Sequence, residues 1–150
     1  MIPETLTEDL LERLLKAKNP EEYLCGEDST IDRTLPEYLF QLLDEHDVSR
    51  AEVARAAGMN GTFVYDIFQG KTHPSRDNAI KLAFGLRCSL LETQRLLRLA
   101  GVSELWPKVR RDAIVIWCVE QGLSRAECDD VLYRLKEKTL LDETQAADAD

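Results

Sequence analysis

No apolar run in this 150-residue chain approaches the length that spans a bilayer. The first residues, Met1–Leu6, have neither a basic start nor a long apolar stretch, so no signal peptide is expected. A cytoplasmic protein is the resulting expectation, with no membrane partner. Histidine is scarce, with only His46 and His73. The four cysteines, Cys25, Cys88, Cys118 and Cys128, are scattered, with no C-x-x-C spacing and no histidine beside them. A zinc site needs clustered ligands, so neither a metal nor a cofactor is expected, and the thiols read as free in a reducing compartment. There is no glycine-rich phosphate loop, and no Ser or Cys nucleophile that the sequence pairs with either histidine. An enzyme is therefore not expected. Alternating β-branched runs closed by a tight turn are also missing. The one turn-like dipeptide, Asn60-Gly61, has helical flanks.

What is present is helical punctuation. Five segments pair Ser or Thr with Glu three residues later: Thr5/Glu8, Thr34/Glu37, Ser49/Glu52, Ser89/Glu92 and Ser124/Glu127. In this capping box the hydroxyl accepts an orphan N–H of the first turn while the Glu reaches back to the cap. Apolar residues follow each at helical spacing. The pattern predicts about eight helices, at about 6–17, 35–46, 50–57, 60–69, 75–86, 90–100, 107–121 and 125–138, with a short turn from Asn19-Pro20 through Leu24. Pro20 and Pro107 sit where proline suits a first turn, and Gly101 suits a helix end. The words Ser49-Arg50-Ala51-Glu52 and Ser124-Arg125-Ala126-Glu127 are identical, but their flanks differ, so two similar caps explain them better than a repeat.

The net charge of −9 is unevenly laid out. Residues 1–48 carry 4 Lys+Arg and 13 Asp+Glu, a net −9. Residues 49–100 carry 8 and 4, a net +4, and residues 101–150 carry 7 and 11, a net −4. The cations are thus concentrated between two acidic flanks, and distribution matters more than the sum for an anionic partner. Four regions are expected: an N-terminal helical extension with an acidic linker (1–34), a central domain (35–101), a C-terminal helical hairpin (102–141) and a disordered acidic tail (142–150).

The segment from Arg50 to Gln69 carries the most specific pattern. Two helices that cross steeply through a tight turn need a small residue at the crossing, and Ala54 supplies it. The turn needs a residue that tolerates positive φ, and Gly58 stands four positions later. A shared apolar face is expected at Val53, Ala57, Met59, Val64 and Ile67, and every one of these positions is apolar.

Downstream come Gln69-Gly70-Lys71-Thr72-His73-Pro74-Ser75, an amphipathic stretch Ile80–Leu86, and Ser89-Leu90-Leu91-Glu92-Thr93. With these, Leu35–Gly101 resembles the phage-repressor or Cro-type (XRE-like) helix-turn-helix family, over 67 of 150 residues. The resemblance implies an all-α chain built on a five-helix, lambda-repressor-like domain with helical extensions at both ends. It also implies a DNA-binding transcriptional regulator, with the helix at about 60–69 in the major groove. The base-reading slots fall on Gly61, Thr62 and Asp66. Ser49 and Arg50 match the family's backbone-contacting helix start, and Gln69, Lys71 and Arg76 match phosphate-contacting positions. Helix starts at Ser49, Asn60 and Ser75 offer free N–H groups to anions.

The chain also departs from that pattern. Gly61 offers no side chain, and Asp66 would face a polyanion. Phe63 and Tyr65 are unusually aromatic for this helix, and only one of them can pack inward beside Val64 and Ile67. A buried Arg–Glu pair joins two helices in many relatives, and its positions fall here on Leu43 and Phe68. These departures keep a second reading open, a protein-interaction module without specific DNA readout. The expected partners are thus double-stranded DNA, a second copy through the C-terminal helices, or another protein.

Overall fold

The computed structural model describes residues 7–26 and 33–141. Thr5 of the first capping box, most of the acidic linker and the tail at 142–150 lie outside the described residues. The described chain is all-helical, with nine helices and no strand. It divides between Arg33 and Thr34 into two compact units.

The first unit holds α1 (Thr7–Lys16) and α2 (Pro20–Leu24). Asn19 caps α2 by accepting the Glu22 N–H at 2.9 Å, with Pro20 in the first turn. Leu11, Leu14 and Leu15 of α1 remain exposed.

The second unit begins with five helices: α3 (Leu35–His46), α4 (Arg50–Ala57), α5 (Gly61–Phe68), α6 (Arg76–Gly85) and α7 (Leu90–Leu99). Each starts on a hydroxyl or amide cap: Thr34, Ser49, Asn60, Ser75 and Ser89. The reciprocal box forms in full at Ser89/Glu92 and Ser124/Glu127. At Thr34 and Ser49 the Glu carboxylate instead accepts from the cap hydroxyl itself.

The seven positions expected to build the two-helix motif all behave as expected. Val53, Ala54, Ala57, Met59, Val64 and Ile67 are buried in one core. Gly58 ends α4 at φ +71, and Met59 donates its N–H back to the Ala54 carbonyl at 2.9 Å. α6 lies against α4 at a close approach. A Cβ on Gly85 would stand 2.6 Å from the Val53 carbonyl oxygen. Across α3 and α5 the expected apolar pair takes a different form. Phe68 meets Phe40 edge-on, with ring centroids 5.3 Å apart, while Leu43 packs half-buried on the same core.

Two more helices follow, α8 (Arg110–Glu120) and α9 (Arg125–Arg134). Both are shorter than the periodicity implied. α8 does not start at Pro107. The Trp106 N–H is held by Asp112 at 3.0 Å and the Trp106 carbonyl accepts from Val109, so 106–109 form a turn. α9 stops before Lys136, which takes φ +64, and the chain then doubles back so that Leu140 is buried. Asp129 holds this return by accepting the Leu140 and Leu141 N–H groups.

The hairpin expected as a separate region is continuous with the five-helix domain. α6 and α8 exchange two forked bridges. Arg76 donates to both carboxylate oxygens of Asp112 at 2.9 and 2.7 Å, and Arg111 donates to both of Asp77 at 2.9 and 3.1 Å. Arg76 also donates to the Ser103 and Glu104 carbonyls, and Gln94 exchanges two hydrogen bonds with Leu105. Val115, Cys118, Cys128 and Leu132 join the common core. The boundary expected after Gly101 is therefore a strapped turn.

Candidate nucleic-acid interface

The candidate site is built where the starts of α4 and α5 come together. Ser49 accepts the Glu52 N–H at 3.1 Å, and Asn60 Oδ1 accepts from Thr62 and Phe63 at 2.9 and 3.2 Å. Asn60 is thus the cap, and α5 begins one residue later than expected. Thr62 is exposed, and Gly61 is open, since a Cβ there would meet nothing within 4 Å.

The two aromatics of α5 separate as their spacing requires. Phe63 packs half-buried against the core, whereas Tyr65 is exposed. The Arg50 guanidinium carbon lies 4.5 Å from the Tyr65 ring centre, and Lys71 Nζ lies 5.8 Å from it. Both fall within the reach of a cation–π attraction. One Arg50 nitrogen, Nη1, is shielded from solvent without a hydrogen-bond partner. Ser49, Arg50, Ala51, Gly61 and Tyr65 together line a shallow depression of about 380 Å³. The arrangement offers two cations on one aromatic platform beside two helix starts, which is chemistry suited to an oxyanion.

Gln69 is exposed beside Gly70 (φ +76), where the Lys71 N–H donates to the Asp66 carbonyl at 2.9 Å. Asp66 itself is half-buried.

Arg76 does not join this set. Its guanidinium is committed to Asp112 and to two carbonyls, so the phosphate contact expected for it has no free donor fork. The bond to Asp112 raises the pKa of Arg76 above its ordinary value. For Asp112, burial pushes upward. The Arg76 hydrogen bond, the Trp106 N–H and the charges of Arg76 and Arg111 outweigh it, and the carboxyl sits below its usual range. Lys81 is buried and Arg98 pairs with Glu104. The local excess of positive charge is therefore narrower at the surface than its count suggests.

Sequence reasoning missed Asp112, which decides the fate of Arg76 from 36 residues away. No local pattern marks such a partner.

Residues 39–92 match the helix-turn-helix family. This segment is a helix-turn-helix domain. The match runs from α3 into α7 and includes the whole α4–α5 pair. No curated protein and no solved structure matches the chain. The helix-turn-helix domain accounts for the core, the turn and the α5 start, while α8 and α9 lie beyond the matched residues. Among the described residues no group of three or more His, Cys, Asp or Glu side chains could hold a metal ion. No helix there is long and apolar enough to cross a membrane.

Proposed function

We propose that the protein is a cytoplasmic DNA-binding transcriptional regulator that presents α5 to the major groove of double-stranded DNA. The observation that carries this reading is the Arg50–Tyr65–Lys71 cluster beside the α4 and α5 starts, on the exposed side of a helix-turn-helix domain. Ser49, Arg50, Asn60, Gln69 and Lys71 would hold the phosphates. Gly61, Thr62 and Asp66 would face base edges, with Thr62 suited to a thymine methyl and Asp66 to a cytosine amino group. Phe63 contributes by seating α5 on the core, and Tyr65 by ordering the two cations.

The test is a titration of the full chain against random-sequence duplex DNA at rising salt. Phosphate contacts release counterions, so affinity falls by about one power of salt for each contact. Arg50→Glu with Lys71→Glu should abolish binding. No binding by the unaltered protein at low salt would overturn the proposal.

A second reading, an interaction module for another protein, draws on the acid at Asp66 and the exposed ring of Tyr65. The discriminating aromatic is Tyr65 rather than Phe63, because Phe63 is part of the packing. A second copy through the C-terminal helices fits the DNA reading, since such regulators act on paired half-sites. Ile114, Trp117, Val131 and Leu135 line an apolar groove of about 420 Å³ between Arg110 and Arg134 on the outer side of α8 and α9.

A further inference from the structure

Where the α8–α9 turn meets the end of α6, packing leaves a cavity of about 370 Å³. Ala83, Phe84, Val119 and Leu123 contribute apolar walls, and Arg87 and Arg125 line it as well. The lining is mixed, with Ser124 and the two arginines beside the apolar walls, which suits a ligand that has both an apolar body and a polar end. The size of the cavity lies in the range of small-molecule sites.

The charges around the cavity are unequal. Arg125 is paired with Asp129. The Glu127 carboxylate accepts the Ser124 N–H at 2.9 Å and completes the α9 cap. Glu92, which does not line the cavity, is bound to His46 and to the Ser89 N–H. Arg87 is exposed, and no described residue forms a hydrogen bond or ion pair with its side chain. Among the described residues Arg87 is thus the cation at this mixed recess without a counter-charge, while Arg125 keeps one shielded nitrogen, Nε, unbonded.

We propose that this cavity is a binding site for a small amphipathic carboxylate, with its apolar body against Phe84 and Val119 and its carboxylate on Arg87. The site adjoins the helix-turn-helix motif, because Ala56 of α4 also lines it. It does not depend on what α5 binds.

The test is an NMR titration of the full, isotope-labelled chain with octanoate, phenylacetate and indole-3-acetate, and with octylamine as the cationic counterpart. At least one carboxylate should give saturable amide shifts centred on residues 83–88 and 119–126. Octylamine should bind there more weakly. Arg87→Gly removes the guanidinium and suits the left-handed backbone at that position (φ +60), so the fold is retained. It should weaken carboxylate binding about tenfold, the size of a charge-assisted hydrogen bond. The proposal fails if none of the three carboxylates saturates, or if the shifts centre on Ile114 and Trp117. It fails equally if octylamine binds as tightly, or if Arg87→Gly leaves the affinity unchanged.

Discussion

Arg50 and Tyr65 form a stacked pair across the two helices of the motif, 4.5 Å from guanidinium carbon to ring centre. The stack restrains a long cationic side chain that would otherwise lose entropy on binding. Tyr65→Ala should therefore weaken binding to duplex DNA about fivefold, whereas Tyr65→Phe should stay within about twofold. Fluorescence anisotropy on a labelled random duplex measures both. Equal losses in the two variants would point to the hydroxyl instead of the ring face.

Gly58 and Gly122 share φ +71 but not their surroundings. A Cβ on Gly58 would lie 3.1 Å from Arg125 Nε and 3.3 Å from Leu141, while one on Gly122 would meet nothing within 4 Å. Gly122→Ala should destabilise by about 1 kcal/mol, from the left-handed backbone alone. Gly58→Ala should cost about 1–3 kcal/mol, because the Arg125 and Leu141 side chains must also shift slightly. Urea unfolding gives the difference, and identical costs would mean that the contact with Arg125 is loose.

Gly85 tests the packing of α4 on α6. Its obstacle is a backbone oxygen that no rotamer change removes. Gly85→Ala should lower stability by about 3 kcal/mol through overpacking, although Ala is the better helix former. A stabilised variant, read from the same unfolding curves, would contradict the close approach.

Asp112 links stability to pH. Its folded pKa lies below the ordinary carboxyl value. Its contribution is therefore complete above the unfolded value near about 4 and is lost as pH falls through the lower folded value. Asp112→Asn should cost about 3 kcal/mol at neutral pH by leaving Arg76 without its counter-charge. It should also flatten the fall in stability below about pH 4. Arg76 has the opposite sign, with a raised pKa whose loss comes only at strongly alkaline pH. Unfolding curves of both proteins between acid and neutral pH check the slope.

Trp117 stands half-exposed on the outer groove of α8. If a second copy docks there, Trp117→Glu should yield a monomer with an unchanged helical spectrum, because a buried carboxylate at an interface centre is strongly unfavourable. Sedimentation over a range of concentrations reads this out. A dimer that survives the substitution would place the contact elsewhere.

The amino-acid order was enough for the helices of the central domain, their caps and the α4–α5 motif, because those signals act over a few residues. A hydroxyl reaches the N–H three positions on, and Gly58 supplies positive φ where it stands. It was also enough to say that only one of Phe63 and Tyr65 could turn inward. Which cations stay at the surface was settled only in three dimensions. Arg76 and Arg50 look alike in sequence, each just after a capping serine. One meets Asp112 arriving from a distant helix and the other meets an aromatic face. The early stop of α9 has the same origin, since the burial of Leu140 and the grip of Asp129 reward a chain that turns back. Charge pairing and burial depend on which remote segment arrives at a given spot, and no local spacing encodes that arrival.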